Sequence, residues 1–489
     1  MVDRLTAWLY GTPILTLTPS DNLRISLDWN PAGAERWGLG SRILSVSLPL
    51  GVPLPVRDNT ALDFLENLLP EGPALDTMAR LAMVNRADTL GILASFGRDC
   101  AGAIMLLPDG EMPPGPGDQT YTPWTPDELA RAIRNLGSNP FGADPERGFR
   151  PSLPGYQRKL VTGRSDDGTW QMPEGGAPST WVLKPDGVTA MARNEMSCLD
   201  LAAGCGLTVP DHELITVDDR LILAIRRYDR TQSGETYVRI HQEDGCQATG
   251  TPPAWKYEDD GGPSLRSLAS IIRDYGEPDD VLELLRRATF NVAVANTDAH
   301  AKNFSFLHGN QDVNVRLAPV YDVICTIALE ATDDHGLPVK ASTKMGQRVS
   351  GVSDVEEVTK ADLVDEAVAW RVRKATAARV VNEMIDAIQD TLPGLDGDER
   401  ALSVIKHRVS QLAARQPGVA VVADRQFDVT WIRRPGRPTA LTAMYAVGEG
   451  KPVRHQTYPR LSALKAGVWR TLEQLYPNEV LDVRFKERP

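Results

Sequence analysis

Apolar and polar residues alternate in short runs from Leu5 to Leu50, which is the spacing of half-buried strands. Two stretches with apolar residues at helical spacing follow, from Ala61 to Val84 and from Ala87 to Phe96. Strands followed by helices at this scale predict a small mixed β/α domain over residues 1–110.

A proline-rich stretch from Pro108 to Pro126 holds six prolines and three glycines. Proline lacks an amide donor, so we expect a linker or a long surface loop here. The chain then becomes strand-rich. Ser179–Pro185 predicts a strand stopped by proline, Arg193–Gly204 a helix, and Leu214–Ile225 a hairpin that turns at Asp218-Asp219. Residues 111–250 are therefore predicted to form a strand-rich lobe.

A second loop, Gly250–Pro263, separates this lobe from a mostly helical region. Pro278–Asn296 has the spacing of an amphipathic helix, and Lys360–Leu392 predicts one or two more. The expected fold class is α+β, with two lobes and a helical lobe over residues 251–424. A ligand would bind at the seam between the lobes.

Composition places the chain among ordinary folded proteins, with 42% hydrophobic and 24% charged residues among 489. The net charge of −12 excludes a protein whose whole surface grips nucleic acid. Residues 425–489 nevertheless carry +6, and the preceding 424 carry −18. This basic extension contains Arg433-Arg434-Pro-Gly-Arg437 and an expected helix over Leu461–Tyr476. A docking or packing element is the ordinary interpretation, and DNA or tRNA contact is the alternative.

The five cysteines form no Cys-x-x-Cys pair, which argues against a disulfide framework and structural zinc. The N-terminus has no secretory signal pattern, and no apolar stretch approaches the ~18 residues of a membrane span. A cytoplasmic protein without membrane contact is expected.

A polar cluster, Asn296-Thr-Asp-Ala-His-Ala-Lys-Asn-Phe-Ser, interrupts two apolar runs. Asp298 and Asn303 lie five residues apart, with Lys302 between them. Further along, Asp322 is the one charge within the apolar run that begins at Leu317. A carboxylate in such a run is costly unless it is paired or holds a metal.

Phosphoryl transfer uses these groups together, because it needs a base near the acceptor hydroxyl and oxygen ligands for a cation. Mg²⁺ keeps several waters, so Asn303 and Asp322 with ATP phosphates would suffice. The alternative for single residues is that Asp298 caps a helix and Asp322 pairs with a nearby arginine. The whole set in this order favours the site.

Lys184 ends a predicted strand and Glu195 lies on the next helix, which is the layout of the lysine–glutamate pair of protein kinases. Such pairs are common by chance. The chain has no Gly-x-Gly-x-x-Gly, since Gly38-Leu-Gly40 lacks the last glycine, and no P-loop. A phosphate loop of another kind is required.

The chain resembles the HipA family of serine/threonine kinase toxins over about residues 1–420. The resemblance rests on ordered motifs, namely Phe64-Leu-Glu-Asn-Leu-Leu-Pro-Glu-Gly72, Ser152-Leu-Pro-Gly-Tyr-Gln-Arg-Lys-Leu, the Lys184 strand, Asn194-Glu195, Arg227-Tyr-Asp-Arg230, His241-Gln-Glu-Asp244 and Asn296-Thr-Asp-Ala-His-Ala-Lys-Asn-Phe-Ser.

This resemblance implies residue roles. Asp298 would orient or deprotonate the acceptor hydroxyl, Asn303 and Lys302 would complete the catalytic set, and Asn303 and Asp322 would hold Mg²⁺. The ATP-binding set would comprise Ser152, Gly155, Gln157, Lys159, Lys184, Glu195, Arg226, Tyr228 and His300. Within it, Ser152 would be autophosphorylated in the phosphate-covering loop, Tyr228 would lie at the hinge beside adenine, and His300 would orient the catalytic loop through hydrogen bonds. Arg226 stands where the family usually has glutamate, so only a backbone adenine contact survives there.

The function implied is an ATP- and Mg²⁺-dependent serine/threonine kinase that acts as the toxin of a toxin–antitoxin pair. Its substrate would be an aminoacyl-tRNA synthetase, and its partner a HipB-like helix-turn-helix antitoxin through which it meets DNA indirectly. The alternative is a catalytically inactive kinase-like module that co-represses its operon with the antitoxin.

Overall fold

The structure is a computed structural model of the 489-residue chain. It describes residues 4–19, 25–53, 59–187, 190–234, 236–309, 314–329, 331–332, 338–339, 341–414, 425–434, 437–446, 452–454, 464–465, 467–468, 471–472 and 481–487. Within these parts of the chain, no helix has both the length and the apolar character that a membrane crossing requires.

The N-terminal unit is an antiparallel sheet covered by helices. Its strands are β1 (Leu5–Leu9), β2 (Thr12–Pro19), β3 (Ile25–Trp29) and β4 (Ile104–Pro108), in the order β3-β2-β1-β4. Its helices are α1 (Pro31–Trp37), α2 (Thr60–Glu66), α3 (Gly72–Leu81) and α4 (Thr89–Phe96). Alternate residues of β1, from Leu5 to Leu9, are fully buried against this helical layer.

The strand pattern predicted from Leu5 to Leu50 is wrong after β3, because α1 lies within it. The Asn30 side chain accepts a hydrogen bond from the Ala32 amide (3.0 Å), and Pro31 occupies the first helical position. This cap and proline begin a helix too short for its periodicity to stand out.

The small lobe is a six-stranded antiparallel sheet in the order β5-β7-β6-β8-β10-β9. Its strands are β5 (Thr120–Pro123), β6 (Leu160–Arg164), β7 (Trp170–Glu174), β8 (Trp181–Pro185), β9 (His212–Val217) and β10 (Arg220–Arg226), with α5 (Pro126–Arg134) and α6 (Ala192–Gly204) beside them. The predicted hairpin is confirmed, and Asp218 and Asp219 turn with φ of 51° and 61°.

Part of the proline-rich stretch belongs to this sheet, so the prediction of a simple linker is wrong there. β5 pairs antiparallel with β7 and lies at the sheet edge. An edge strand tolerates proline because one side of it needs no amide donor.

A small three-stranded sheet leads into the helical lobe. Before it, β11 (Arg230–Ser233) and β12 (Thr236–Arg239) pair as a separate two-stranded sheet. The strands of the three-stranded sheet are β13 (Gln242–Asp244), β14 (Ser305–His308) and β15 (Val315–Leu317), in this order, with α7 (Gly245–Thr249) after β13. The helical lobe contains α8 (Leu265–Tyr275), α9 (Pro278–Ala293), α10 (Lys360–Ala369), α11 (Lys374–Thr391) and α12 (Glu399–Ala413), with short strands β16 (Ala331–Thr332), β17 (Pro338–Val339), β18 (Lys344–Val349) and β19 (Val352–Asp354).

The helices predicted over Pro278–Asn296 and Lys360–Leu392 are confirmed, the second as two helices. Leu284 and Leu285 of α9 are fully buried in the same apolar cluster as Val380 and Ile388 of α11. This core fixes the end of α9, from which the polar cluster of the sequence emerges.

A buried charge network joins the N-terminal unit to the chain between the lobes. Asp99 pairs with Arg227 (3.5 Å), Arg230 (3.0 Å) and Arg239 (3.5 Å). Asp229 accepts hydrogen bonds from Arg227 (2.8 Å) and from the Gly102 amide (2.7 Å). The pKa of Asp99 is lowered because these arginines outweigh the opposite effect of burial.

The extension forms a mixed sheet in the order β22-β21-β20-β23, in which β20 and β23 run parallel. Its strands are β20 (Arg425–Arg434), β21 (Arg437–Ala446), β22 (Pro452–Arg454) and β23 (Leu481–Glu487). Arg433 and Arg434 end β20 and Arg437 begins β21. Most of the predicted Leu461–Tyr476 helix lies outside the described residues.

Candidate active site

A cleft of about 800 Å³ lies between the two lobes, as the sequence predicts. The N-terminal unit contributes Glu71 to its wall. The predicted residues that line the cleft are Gly155, Gln157, Lys159, Lys184, Arg226, Tyr228, Asp298, His300, Lys302, Asn303 and Asp322. Ser152 and Glu195 lie behind this wall.

Three charged side chains meet at one point of the cleft. Lys184 Nζ on β8 lies 2.6 Å from Glu195 Oε1 on α6 and also pairs with Asp322 Oδ1 from the helical lobe. Asp186 fixes α6 relative to β8, because its carboxylate accepts the amides of Met191 (2.8 Å) and Ala192 (2.7 Å). Asp322 therefore pairs with a lysine, not with an arginine.

The charges of this cluster shift one another. Burial alone would lower the pKa of Lys184, but Asp322 and Glu195 outweigh it and raise that pKa. Burial would raise the pKa of Asp322, but Lys184 and Lys159 hold it at about 2. Burial lowers the pKa of Lys159 to about 8, with Lys184 adding to the effect and Asp322 opposing it. Asp322 is consequently ionised at neutral pH.

The backbone is strained on both sides of the site. Ala295, just after α9, has φ of 54°, and Asp322 has φ of 51°. Non-glycine residues adopt this left-handed conformation at a cost, which surrounding structure must offset. Thr326 contributes here, since its hydroxyl accepts the Thr297 amide (2.8 Å) and donates to the Ala295 carbonyl (2.9 Å).

Asp298 and Asn303 are held together by a short turn. The side-chain nitrogen of Asn303 donates a hydrogen bond to the Asp298 backbone carbonyl (2.9 Å). The side-chain oxygen of Asn296 accepts a hydrogen bond from the Asp298 backbone amide (3.2 Å). Asp298 is exposed to the cleft, and its Oδ1 accepts a hydrogen bond from the Tyr257 hydroxyl (2.6 Å). Partial desolvation raises the pKa of Asp298, although Tyr257 and Lys256 oppose that shift. Asp298 does not cap a helix.

Lys302 points away from Asp298 and toward the N-terminal unit. Its ammonium group donates to Asn67 Oδ1 (2.9 Å) and lies 3.8 Å from Glu71 and 3.7 Å from Asp244. The side chain is buried. Lys302 therefore connects the catalytic turn to the N-terminal unit, whereas the sequence resemblance places it among the catalytic residues.

The loop from Ser152 to Lys159 covers one end of the cleft. Ser152 is fully buried, and its hydroxyl donates to the Leu68 carbonyl (2.9 Å). Gly155 has φ of 107°, and a Cβ there would lie 2.8 Å from Lys159 Nζ. Lys159 Nζ donates to the Pro154 carbonyl (2.7 Å) within the loop. The positive φ favours glycine at position 155, because other residues are strained in this conformation.

The chain between the lobes places Tyr228 on the cleft wall. The Tyr228 hydroxyl donates to Gln242, and its ring stacks on Tyr321 with centroids 5.6 Å apart. Arg226 is turned to Asp211, with its guanidinium 3.2 Å from the carboxylate and its amide 2.8 Å from the carbonyl. The Arg226 side chain thus has a partner outside the cleft.

His300 is buried, and burial lowers its pKa to about 3, with Lys256 and Lys302 adding to the effect. Its ring lies edge-on to Tyr257, with centroids 5.2 Å apart. Within the described chain, His300 Nδ1 has no hydrogen-bond partner. The neutral ring is therefore held by packing more than by the hydrogen bonds that the sequence suggested.

Sequence reasoning assigned no role to Tyr257, Lys256, Glu71 or Tyr321. Tyr321 directly precedes Asp322, and Glu71 lies in a segment on which the family resemblance rests. Both residues could therefore have been assigned to the site from the sequence. Lys256 and Tyr257 sit in a loop with no recognisable spacing to Asp298. Only the fold brings them to the site.

The two lobes and the cleft between them define a protein-kinase-like fold. Residues 5–107 match the family model of the HipA N-terminal domain, and residues 151–392 match that of the HipA-like C-terminal domain. The chain belongs to the HipA family, as the motifs predicted.

Individual relatives agree. The chain is 36% identical over 317 residues to Y4mE of Sinorhizobium fredii, covering 62% of this chain and 73% of that protein. The name of Y4mE marks it as a kinase of unproven activity. The chain is 27% identical over 397 residues to the serine/threonine-protein kinase toxin HipA of Shewanella oneidensis, covering 75% of this chain and 86% of that protein.

A solved structure shares the fold. It is a complex of HipA, HipB and operator DNA from Shewanella oneidensis, and its matching chain gives a TM-score of 0.67 at 22% identity. The match covers 83% of this chain and 95% of that chain. The predicted α+β, kinase-like fold is confirmed.

Proposed function

We propose that this protein is an ATP- and Mg²⁺-dependent serine/threonine kinase that acts as a toxin. The observation that carries the proposal is the convergence of Lys184, Glu195 and Asp322 on one wall of a cleft that also exposes Asp298. An inactive kinase-like module would have no need to keep this set of groups together. In addition, one relative in this family is named a kinase toxin.

The donor set suits Mg²⁺ and nucleotide. Asp322 offers an ionised carboxylate, and Asn303 donates through its nitrogen to Asp298, which leaves its amide oxygen for a cation. Mg²⁺ prefers such oxygens and keeps water in its remaining positions. Two buried atoms, His300 Nδ1 and Glu195 Oε2, also lack hydrogen-bond partners within the described chain. Bound Mg²⁺ would supply charge neutralisation between the phosphates.

The residues that line the cleft would then have different roles in phosphoryl transfer. Lys184 and Lys159 would face the phosphates, and Glu195 would hold Lys184 in place. Asp298 would accept the hydrogen bond, and then the proton, of the acceptor hydroxyl. Leu153 to Lys159 would exclude water from the phosphates, and Tyr228 would border the adenine.

Ser152 is the proposed site of autophosphorylation. Because its hydroxyl is buried against Leu68, phosphorylation requires the loop to leave this position. A phosphate carries about two negative charges at neutral pH, and burial disfavours such charge. We therefore expect phosphorylated Ser152 to keep the loop displaced and to weaken ATP binding.

The partners are proposed from the family. A HipB-like antitoxin would bind the chain and contact DNA, in keeping with the HipA–HipB–DNA complex that shares its fold. The acceptor would be an aminoacyl-tRNA synthetase in the cytoplasm. We also propose the four-part division at residues 110, 250 and 424 as the domain organisation.

The test is incubation of the purified chain with γ-labelled ATP, Mg²⁺ and a bacterial lysate. Label should appear on Ser152 and on one lysate protein, which mass spectrometry identifies. A Ser152→Ala variant should lose its own label and still label the lysate protein. If neither the chain nor the lysate acquires label, the inactive co-repressor is the correct function.

A further inference from the structure

The loop of residues 252–262, here the Lys256 loop, is attached to the catalytic turn. The Lys256 carbonyl accepts the Ala301 amide (3.1 Å), and the Glu258 carboxylate accepts the Arg348 amide (2.8 Å). Lys256 Nζ also lies 2.7 Å from Glu71. Anchors to three separate parts of the chain fix this loop in place.

The loop is closed by a glycine that nothing else can replace. A Cβ at Gly262 would lie 1.9 Å from the Trp255 carbonyl oxygen and 2.7 Å from that of Tyr257. The Gly262 amide donates to the Tyr257 carbonyl (3.0 Å), which tightens the turn. Tyr257 therefore reaches Asp298 from a backbone with little freedom.

The Tyr257 hydroxyl forms a hydrogen bond with only one of the two carboxylate oxygens of Asp298. It donates to Oδ1 at 2.6 Å, while its ring packs edge-on against His300. Within the described chain, no group donates a hydrogen bond to Asp298 Oδ2. Because a carboxylate can rotate about its last bond, a fixed donor on one oxygen sets the direction of the other.

We propose that Tyr257 is a positioning residue of the kinase, which holds Asp298 through Oδ1 so that Oδ2 faces the acceptor hydroxyl. The inference rests on the proposed function and deepens it. Proton acceptors act only within a narrow distance and angle, and a displacement of about 1 Å costs on the order of 100-fold in rate. The other possible role of this contact is occlusion, in which Tyr257 occupies the acceptor's place and slows the enzyme.

The Tyr257→Phe variant separates these roles, because it removes the hydroxyl and keeps the ring on His300. We expect autophosphorylation at saturating Mg-ATP to fall about 10- to 100-fold. The dissociation constant for ATP and the melting temperature should stay near the wild-type values, since Tyr257 does not face the phosphates in this account. Tyr121→Phe is the matched control, as it loses a hydrogen bond of 2.8 Å to Pro178 far from Asp298.

A second measurement checks that Tyr257 acts through Asp298. In an Asp298→Asn background, adding Tyr257→Phe should not lower the residual rate further. An unchanged or higher rate in Tyr257→Phe overturns the inference, and a higher rate assigns occlusion instead. If wild-type protein transfers no phosphate at all, the proposed function falls and this inference falls with it.

Discussion

Lys184 and Asp322 form an ion pair across the cleft, between a strand of the small lobe and a strained turn of the helical lobe. The same ammonium group binds Glu195 at 2.6 Å. The Lys184 ammonium group therefore lies between two carboxylates. In the proposed function, Asp322 would bind Mg²⁺, and Glu195 would keep Lys184 oriented toward the nucleotide phosphates.

Glu195→Gln should weaken this orientation without removing the side chain. We expect at least a 10-fold lower rate of phosphoryl transfer, together with a loss of about 1–3 kcal/mol in the free energy of unfolding, because the buried hydrogen bond from Lys184 loses the negative charge of its acceptor. Urea unfolding measures the second quantity. The control is Glu213→Gln, whose half-exposed pair with Arg164 should contribute under about 1 kcal/mol. Equal losses of unfolding free energy in Glu195→Gln and Glu213→Gln would contradict this role of Glu195.

Asp99→Asn tests the charge network that joins the N-terminal unit to the chain between the lobes. Asp99 is buried among three arginines, so its neutral form leaves Asp229 as the remaining carboxylate partner of Arg227 and Arg230 and removes the carboxylate that pairs with Arg239. Breaking a buried pair costs about 3–5 kcal/mol, and we expect a loss in this range in denaturant unfolding. Asp218→Asn, which breaks an exposed pair with Arg134, should change stability by less than about 1 kcal/mol. A wild-type-like Asp99→Asn protein would refute the role of this network.

Asp244 should give the protein a distinctive dependence of stability on pH. Burial raises the pKa of Asp244 to about 6, with Lys302 opposing the shift. In the unfolded chain its pKa is about 3.9, so the folded state holds the extra proton between these values. The contribution of Asp244 to the free energy of unfolding is therefore largest below about pH 4. It decreases by roughly 3 kcal/mol as the pH rises through 6.

The Asp244→Asn variant isolates this effect, because asparagine keeps the cap on α7 and does not titrate. Unfolding free energies of both proteins are measured from pH 4 to 7. The wild-type curve should fall relative to the variant curve across this interval. Parallel curves, or a wild-type curve that gains with pH, would show that Asp244 titrates at its ordinary value.

Local patterns account for much of what the sequence predicted correctly. The Asp218-Asp219 hairpin and the α9 helix follow from turn chemistry and periodicity, and both lie where expected. Asp322 could be singled out because a lone carboxylate in an apolar run needs a partner. That partner, Lys184, lies 138 residues away and could be placed beside it only through the kinase-like layout.

Contacts between distant segments explain what the sequence could not provide. Lys302 belongs to the catalytic set that the family resemblance implies, and only the docked N-terminal unit shows it bound to Asn67, 235 residues away. Tyr257 reaches Asp298 across 41 residues with no fixed spacing. Side-chain direction in a loop depends on such tertiary contacts, which composition and periodicity do not encode.

The central claim is that this cleft transfers phosphate from ATP, and a single-turnover transfer assay tests it most directly. Purified protein is mixed with γ-labelled ATP and Mg²⁺, and covalent label is followed over time. Wild-type protein and the Asp211→Asn control should acquire label, and Asp298→Asn and Asp322→Asn should each lose at least 100-fold in rate. Wild-type rates in either site variant, or no label in the wild-type protein, would contradict the account.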